Sequence, residues 1–240
     1  MTAVVTELPP SKLGTKEHWD DVYHEEISNF IDHGDEGEVW FGEDTQEKMV
    51  EWALANVPPS PDLSVLEIGS GNGALLFGLL DAGYPARCLA GLDYSSSATQ
   101  LAEIVAVLRD GEKISFTTSN FLEDDPLPLP NSVSPSGGVD RWDLLLDKGT
   151  YDAIALGVKD EHGRSPAINY PSRVARLLKP GGYFLITSCN FTEDELKANF
   201  VTSETGLVYH SRIQHPTYSF GGKSGSTCAS IAVQKPLPAA

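Results

Sequence analysis

The chain has 240 residues, enough for one α/β domain with a sizeable core, and its 40% hydrophobic and 21% charged residues exclude a disordered protein. A net charge of −17, from 34 Asp and Glu against 17 Lys and Arg, disfavours nucleic acid as a main partner, since gripping phosphates needs the opposite sign. Three cysteines (Cys88, Cys189, Cys228) without a CxxC pair argue against a disulfide framework or a zinc site, and apolar runs such as Tyr183–Ile186 are too short to span a bilayer.

Residues 1–14 read as a loose tail without the apolar stretch of a secretory signal, so the cytoplasm is expected. Residues 15–60 read as a helical segment and 61–240 as a Rossmann-like core, all within one domain. Trp19, Tyr23 and Ile27 at i, i+4, i+8 predict a helix from Lys16 to about Ile31. The polar His33–Gly37 stretch reads as a loop. A second helix is predicted over Asp44–Asn56, with Met49, Val50, Ala53 and Leu54 as its apolar face and Pro58, Pro59 and Pro61 beyond its end. Residues 1–60 hold 14 of the acids and three of the bases, which fits a solvated helical face or a surface that steers a basic partner. Strands are then predicted at Ser64–Ile68, Ala86–Leu92, Lys113–Thr118, Trp142–Leu146 and Gly182–Ser188. Helices are predicted at Gly73–Ala82, Ser96–Asp110, Tyr151–Leu156 and Ile168–Leu178. That alternation implies a parallel sheet with helices on both faces. Two last strands, Gly206–Ile213 and Ser226–Gln234, are joined by Gly/Ser-rich residues and predict a closing antiparallel hairpin. The Pro-rich stretch Asp124–Gly138 reads as a surface insertion.

The first strand runs into Glu67-Ile68-Gly69-Ser70-Gly71-Asn72-Gly73, where closely spaced glycines let the backbone turn and approach a ligand. Gly69-x-Gly71-x-x-Ala74 also satisfies the dinucleotide fingerprint, and Asp93 lies where a ribose-binding acid belongs for either cofactor class. Glu67 discriminates. A carboxylate there repels a pyrophosphate but suits the sulfonium and ammonium of S-adenosylmethionine, unless it is merely a solvated strand-end charge. Asp93-Tyr94 ends the second strand. Asn120-Phe121 follows the third and offers an amide to an adenine edge and a ring to its face, although Asn120 is equally suited to capping a turn. Scattered His residues show no metal-ligand spacing.

Leu13–Asp20, Glu38-Val39-Trp40-Phe41-Gly42, Asp147–Ala153 and Thr187–Thr192 together resemble one group of class I methyltransferases. The group is the eukaryotic protein-lysine methyltransferases that modify translation elongation factor 1A, and the resemblance runs from about Ser11 to Lys235. It implies a mostly parallel seven-stranded Rossmann-like sheet, S-adenosylmethionine as donor with S-adenosylhomocysteine as product, and elongation factor 1A as protein substrate. Trp40, Glu67, Gly69, Ser70, Gly71, Asn72, Asp93, Tyr94, Asn120, Phe121 and Asp147 are then the expected donor-binding residues.

On this reading a lysine amine attacks the sulfonium methyl. Presenting that amine neutral at pH 7 costs about 4.6 kcal/mol, which a desolvating, aromatic-lined channel reduces. Asp147, Thr150 and Tyr151 are the catalytic candidates, with Asp147 orienting the amine or capping the next helix, and Tyr151 walling the channel. Trp40 and Phe41 are expected to cover the cofactor, Trp19 and Tyr23 to pack the first helix, and Lys148 to be a surface or salt-bridge residue. The stretch Val158–Pro166 is expected to border the substrate channel. Three other readings stay open: a small-molecule methyltransferase on the same fold, a non-catalytic cofactor-binding interaction module, and a nicotinamide-dependent oxidoreductase, which Glu67 and the lack of a Tyr-x-x-x-Lys pair disfavour.

Overall fold

Val65–Ile68 is a run of four residues buried on both sides, and it forms β1 at the centre of a parallel sheet. The computed structural model describes residues 7–129, 142–220 and 223–238. Around β1 lie β2 (Leu89–Asp93), β3 (Ser115–Thr118), β4 (Trp142–Lys148), β5 (Leu178–Ser188), β6 (Val208–Ile213) and β9 (Ala229–Gln234), in the order β3-β2-β1-β4-β5-β9-β6. The first five of these positions are parallel, and β9 runs antiparallel to both β5 and β6. The expected seven-stranded sheet is therefore present, with its last two strands paired as predicted.

Side-chain alternation splits the core into two layers. Val65, Leu144, Leu146 and Leu185 face α1 (Lys16–His33), α2 (Glu43–Asn56), α3 (Ala74–Asp81) and α4 (Ser96–Leu108). Leu66, Ile68, Leu145 and Ile186 face α5 (Thr150–Ala155), α6 (Tyr170–Leu177) and α7 (Glu193–Phe200). Thr15 caps α1, whose last residue, His33, lies two past the predicted end and is followed by Gly34 in the left-handed region. In α2 the buried face is Met49, Trp52 and Ala53, whereas the expected Leu54 is exposed.

Three departures from the sequence reading have local causes. Ala86–Cys88 is a 3-10 turn, so β2 starts later than expected. β5 starts earlier, because Leu178 already pairs with Trp142 before the chain bulges through Pro180 and Gly181 and resumes with Tyr183 opposite Leu144. A helix not foreseen, α7, starts in a capping box in which the Thr192 side chain accepts from the Glu195 amide and the Glu195 carboxylate accepts from the Thr192 amide. The β6–β9 connection was also read as a loop; it carries a two-stranded ribbon, β7 (Thr217–Phe220) with β8 (Lys223–Ser226). Most of the Pro-rich stretch expected as an insertion, residues 130–138, lies outside the described residues. Among the described residues, no helix is long and apolar enough to cross a membrane.

Candidate donor and acceptor site

Strand order reverses beside β1: β2 and β3 lie on one side and β4 on the other, which opens a crevice at the strands' carboxyl ends. The glycine turn fills its floor. Gly69 has φ +70, and a Cβ there would stand 1.9 Å from Thr150 Oγ1; a Cβ on Gly71, φ +53, would stand 2.3 Å from the Tyr23 hydroxyl oxygen. Only glycine fits either position. The Gly69 and Ser70 amides both donate to the Leu92 carbonyl, at 2.7 and 2.9 Å, tying the turn to β2.

The crevice is a cavity of about 440 Å³. Of the residues expected from sequence, Trp40, Gly69, Ser70, Gly71, Asn72, Asp93, Tyr94, Asn120, Phe121 and Thr150 line it. Glu67 lies behind the turn, 1% exposed, with its Oε2 buried and without a hydrogen-bond partner. Burial raises its pKa, opposed by the charge of Lys148. Asp93 is buried too; desolvation pushes it up to about 6 although it accepts from the Ser95 amide at 2.9 Å and the Gly71 amide at 3.1 Å.

Several expected residues are committed elsewhere. Asn72 lines the cavity, but its Nδ2 donates to the carbonyls of Glu36 and Glu38 at 3.0 and 3.3 Å, clamping that loop to the turn. Asn120 Oδ1 accepts from the Leu122 amide at 3.1 Å, the turn-capping alternative, while the residue still borders the cavity. Thr150 Oγ1 donates to the Ile68 carbonyl at 2.8 Å.

Asp147 and Tyr151 stand apart from the cavity wall. Asp147 is fully buried on the opposite face of the sheet, where it accepts from the Thr150 amide at 2.9 Å, the Tyr151 amide at 3.0 Å and the Tyr170 hydroxyl. Its carboxyl group caps α5. The Tyr151 ring packs among Tyr170, Phe191 and Phe200 rather than walling a channel.

Other residues stand in the cavity wall instead. Trp19, read as packing, meets Trp40 edge-on at 5.1 Å, and its Nε1 donates to the Leu13 carbonyl. Tyr23 lines the cavity, as does Lys148 at the last position of β4. Phe41 lies in the left-handed region at φ +69, at a cost of about 1–2 kcal/mol, and its ring covers Gly149. Val158 and Pro166 close the far end beside Gly14. Neither Gly14 nor Lys148 had a local signal, since the close approach of Gly14 to Leu156 is a non-local contact.

A family model described as "Methyltransferase domain" matches residues 59–226, spanning most of the chain and all of the cavity's strand-end turns. The chain belongs to this methyltransferase family. Within it, the chain is 41% identical over 95% of its length to the Protein-lysine N-methyltransferase efm4 of Schizosaccharomyces pombe, of which 95% is covered. It is 36% identical to the EEF1A lysine methyltransferase 2 of Mus musculus, with 98% of this chain and 88% of that protein covered. It is also 36% identical to the Protein-lysine N-methyltransferase EFM4 of Saccharomyces cerevisiae, covering 95% and 97%. These relatives form one group, and the chain is a member of it. Solved structures agree on the fold: the N-methyltransferase NodS of Bradyrhizobium japonicum in complex with S-adenosylhomocysteine superposes with a TM-score of 0.56 at 16% identity, covering 81% of this chain and 87% of that one. The [4+2]-cyclase SpnF reaches 0.59 at 12% identity, covering 97% and 100%, so the methyltransferase fold itself does not fix the chemistry.

Proposed function

We propose that this methyltransferase transfers a methyl group from S-adenosylmethionine to a lysine of translation elongation factor 1A, as a single domain acting in the cytoplasm, where a translation factor is met. The observation that carries the donor is Glu67. A buried carboxyl oxygen without a partner, directly ahead of a glycine turn, fits a cationic ligand and would oppose a pyrophosphate. The cavity also fits the rest of the donor, with a ribose-sized acid at Asp93 and aromatic cover from Tyr94 and Phe121. The acceptor rests on the relatives, three of which carry protein-lysine or EEF1A-lysine methylation in their names along nearly their whole length.

The bound donor supplies a methyl group on a positively charged sulfur. The chain's own residues hold and shield it. Ionised Asp93 would accept hydrogen bonds from the ribose hydroxyls, and the Asn120–Phe121 turn would meet the base. Trp40 and Phe41 exclude water from the incoming amine, which lowers the cost of its neutral form. Asp147 acts one step away, as the cap that fixes the β4–α5 turn and so positions Lys148, Gly149 and Thr150. Mass spectrometry of elongation factor 1A incubated with the protein and donor tests the substrate. A methylated lysine is expected, and unmodified lysines throughout would remove the substrate while leaving the donor to be judged by calorimetry.

A further inference from the structure

β5 and β9 run antiparallel in unbroken register, from Tyr183 opposite Gln234 to Ser188 opposite Ala229. One rung further, the same register brings Cys189 opposite Cys228. Residues directly opposite in an antiparallel pair have Cα atoms about 4.5 or 5.5 Å apart, within the span of about 4.4–6.8 Å that a disulfide bridges. The two thiols sense one another, since charge on Cys228 opposes ionisation of Cys189. Both are free, Cys189 exposed and Cys228 buried. Both line a second cavity, of about 330 Å³, at the carboxyl end of β5, and this cavity shares no residue with the donor cavity. Cys189 Sγ donates to Asp152 Oδ2 at 3.3 Å, and the Cys228 thiol bonds the Thr45 side chain. Cys88 sits at the opposite end of the strands, just before β2, where its thiol donates to the Pro61 carbonyl at 3.4 Å.

We infer that Cys189 and Cys228 are a site of oxidative modification, at which a hydroperoxide joins them as a disulfide between the end of β5 and the start of β9. The more exposed Cys189 reacts first. Its sulfur attacks an oxygen of the hydroperoxide, the O–O bond breaks, an alcohol leaves, and Cys189 becomes a sulfenic acid. The Cys228 sulfur then attacks the Cys189 sulfur, the S–O bond breaks, water leaves, and the S–S bond forms. The two sulfurs together lose two electrons and the hydroperoxide gains them, while the two thiol protons depart in the alcohol and the water. Until then Cys189 is held as a thiol. Burial first, and then the charge of Asp152, push it up to about 12, so the pair ignores brief exposure and reacts under sustained oxidation. Bridging removes the S–H donor from Asp152, which keeps the Ser188 hydroxyl and the Cys189 amide, so α5 stays tied to the loop after β5. In a reducing compartment such a bond is transient, unlike a framework disulfide.

The test is mass spectrometry of the natural protein after treatment with tert-butyl hydroperoxide, followed by alkylation of the remaining thiols and digestion. Alkylated cysteines are expected to fall from three to one, Cys88 alone. Cys189 and Cys228 are expected in one linked pair of peptides, two hydrogens lighter than the separate thiols, and dithiothreitol is expected to restore all three. In Cys228→Ser, Cys189 is expected to stop at the sulfenic acid, trapped by dimedone, with no linked peptide. The inference is overturned if Cys189 of the natural protein goes on to the sulfinic acid while Cys228 remains alkylated. Links that join two chains, seen as a dimer on a non-reducing gel, overturn it too. So does retention of all three thiols at a peroxide dose that fully oxidises a free cysteine-containing peptide. Should Cys228→Ser fail to fold, as judged by its melting curve, the peptides of the natural protein decide.

Discussion

The Tyr170 hydroxyl donates to the Asp147 carboxylate beneath the sheet, on the side away from the cavity. Burial pushes Asp147 up to about 7 even though that hydroxyl and two amides favour its ionised form. The folded value lies above the ordinary one, so the carboxyl's contribution to stability is complete below the ordinary value and is lost as pH rises through about 7. Asp147→Asn keeps the shape and cannot ionise. Its melting temperature is expected to fall less than that of the natural protein between about pH 4 and 7, with donor affinity within about threefold of normal. Asp147→Ala, which removes the cap, is expected to cost about 1–3 kcal/mol of stability in urea melts. A loss of turnover far beyond tenfold in a stable Asp147→Asn protein would return this residue to the chemistry.

Asp93 gives the opposite pH signature in binding. Its value near 6 comes first from desolvation, and only the ionised form accepts from two ribose hydroxyls. Affinity for S-adenosylhomocysteine is expected to weaken as pH falls below about 6. Asp93→Asn is expected to bind about 10–100-fold more weakly at neutral pH, with that pH dependence gone. Calorimetry from acid to neutral pH checks both, and an unchanged dependence in the variant would assign it to another group.

Gly14 presses on the end of α5, where a Cβ would stand 2.1 Å from the Leu156 carbonyl oxygen, and Ser11 donates its amide to the same carbonyl at 3.0 Å. Gly14→Ala is expected to lift Ser11–Thr15 off the cavity wall at a cost of about 1–3 kcal/mol. Faster proteolysis near residue 14 and weaker donor binding are the expected readouts. Normal affinity with accelerated cleavage would mean that this segment covers the cavity without contributing to it.

Thr192 caps α7 from the loop that follows β5. Thr192→Ala is expected to lower stability by about 1 kcal/mol in urea titration, and Glu195→Gln by less, since an amide oxygen still accepts from the Thr192 amide. Equal losses from the two substitutions would show that the carboxylate's charge matters more than the cap.

The central strands were readable because strands covered on both faces are predominantly apolar, as Val65–Ile68 and Leu89–Asp93 are apart from Glu67 and Asp93. The helix at Glu193 carried its own signal, Thr192 with Glu195 three residues on, which the reading passed over. The β7–β8 ribbon carried none, since Gly- and Ser-rich residues lack the alternation that marks a strand. In the cavity wall, residues set by a local turn were legible as neighbours, from Gly69 to Asn72 and at Asp93 and Asn120. That Lys148 and not Asp147 borders the cavity was not legible, because adjacent residues on a strand point to opposite faces. Which of the two meets the cavity depends on the register with β1, a non-local fact.

Asn72 holds the loop carbonyls of Glu36 and Glu38 with the same residue that shapes the floor under the donor. The acidic N-terminal segment and the nucleoside pocket are thus mechanically one piece. If a basic partner at residues 36–38 altered how tightly the donor is held, thermodynamic reciprocity would require a filled pocket to change the grip on that partner by the same factor.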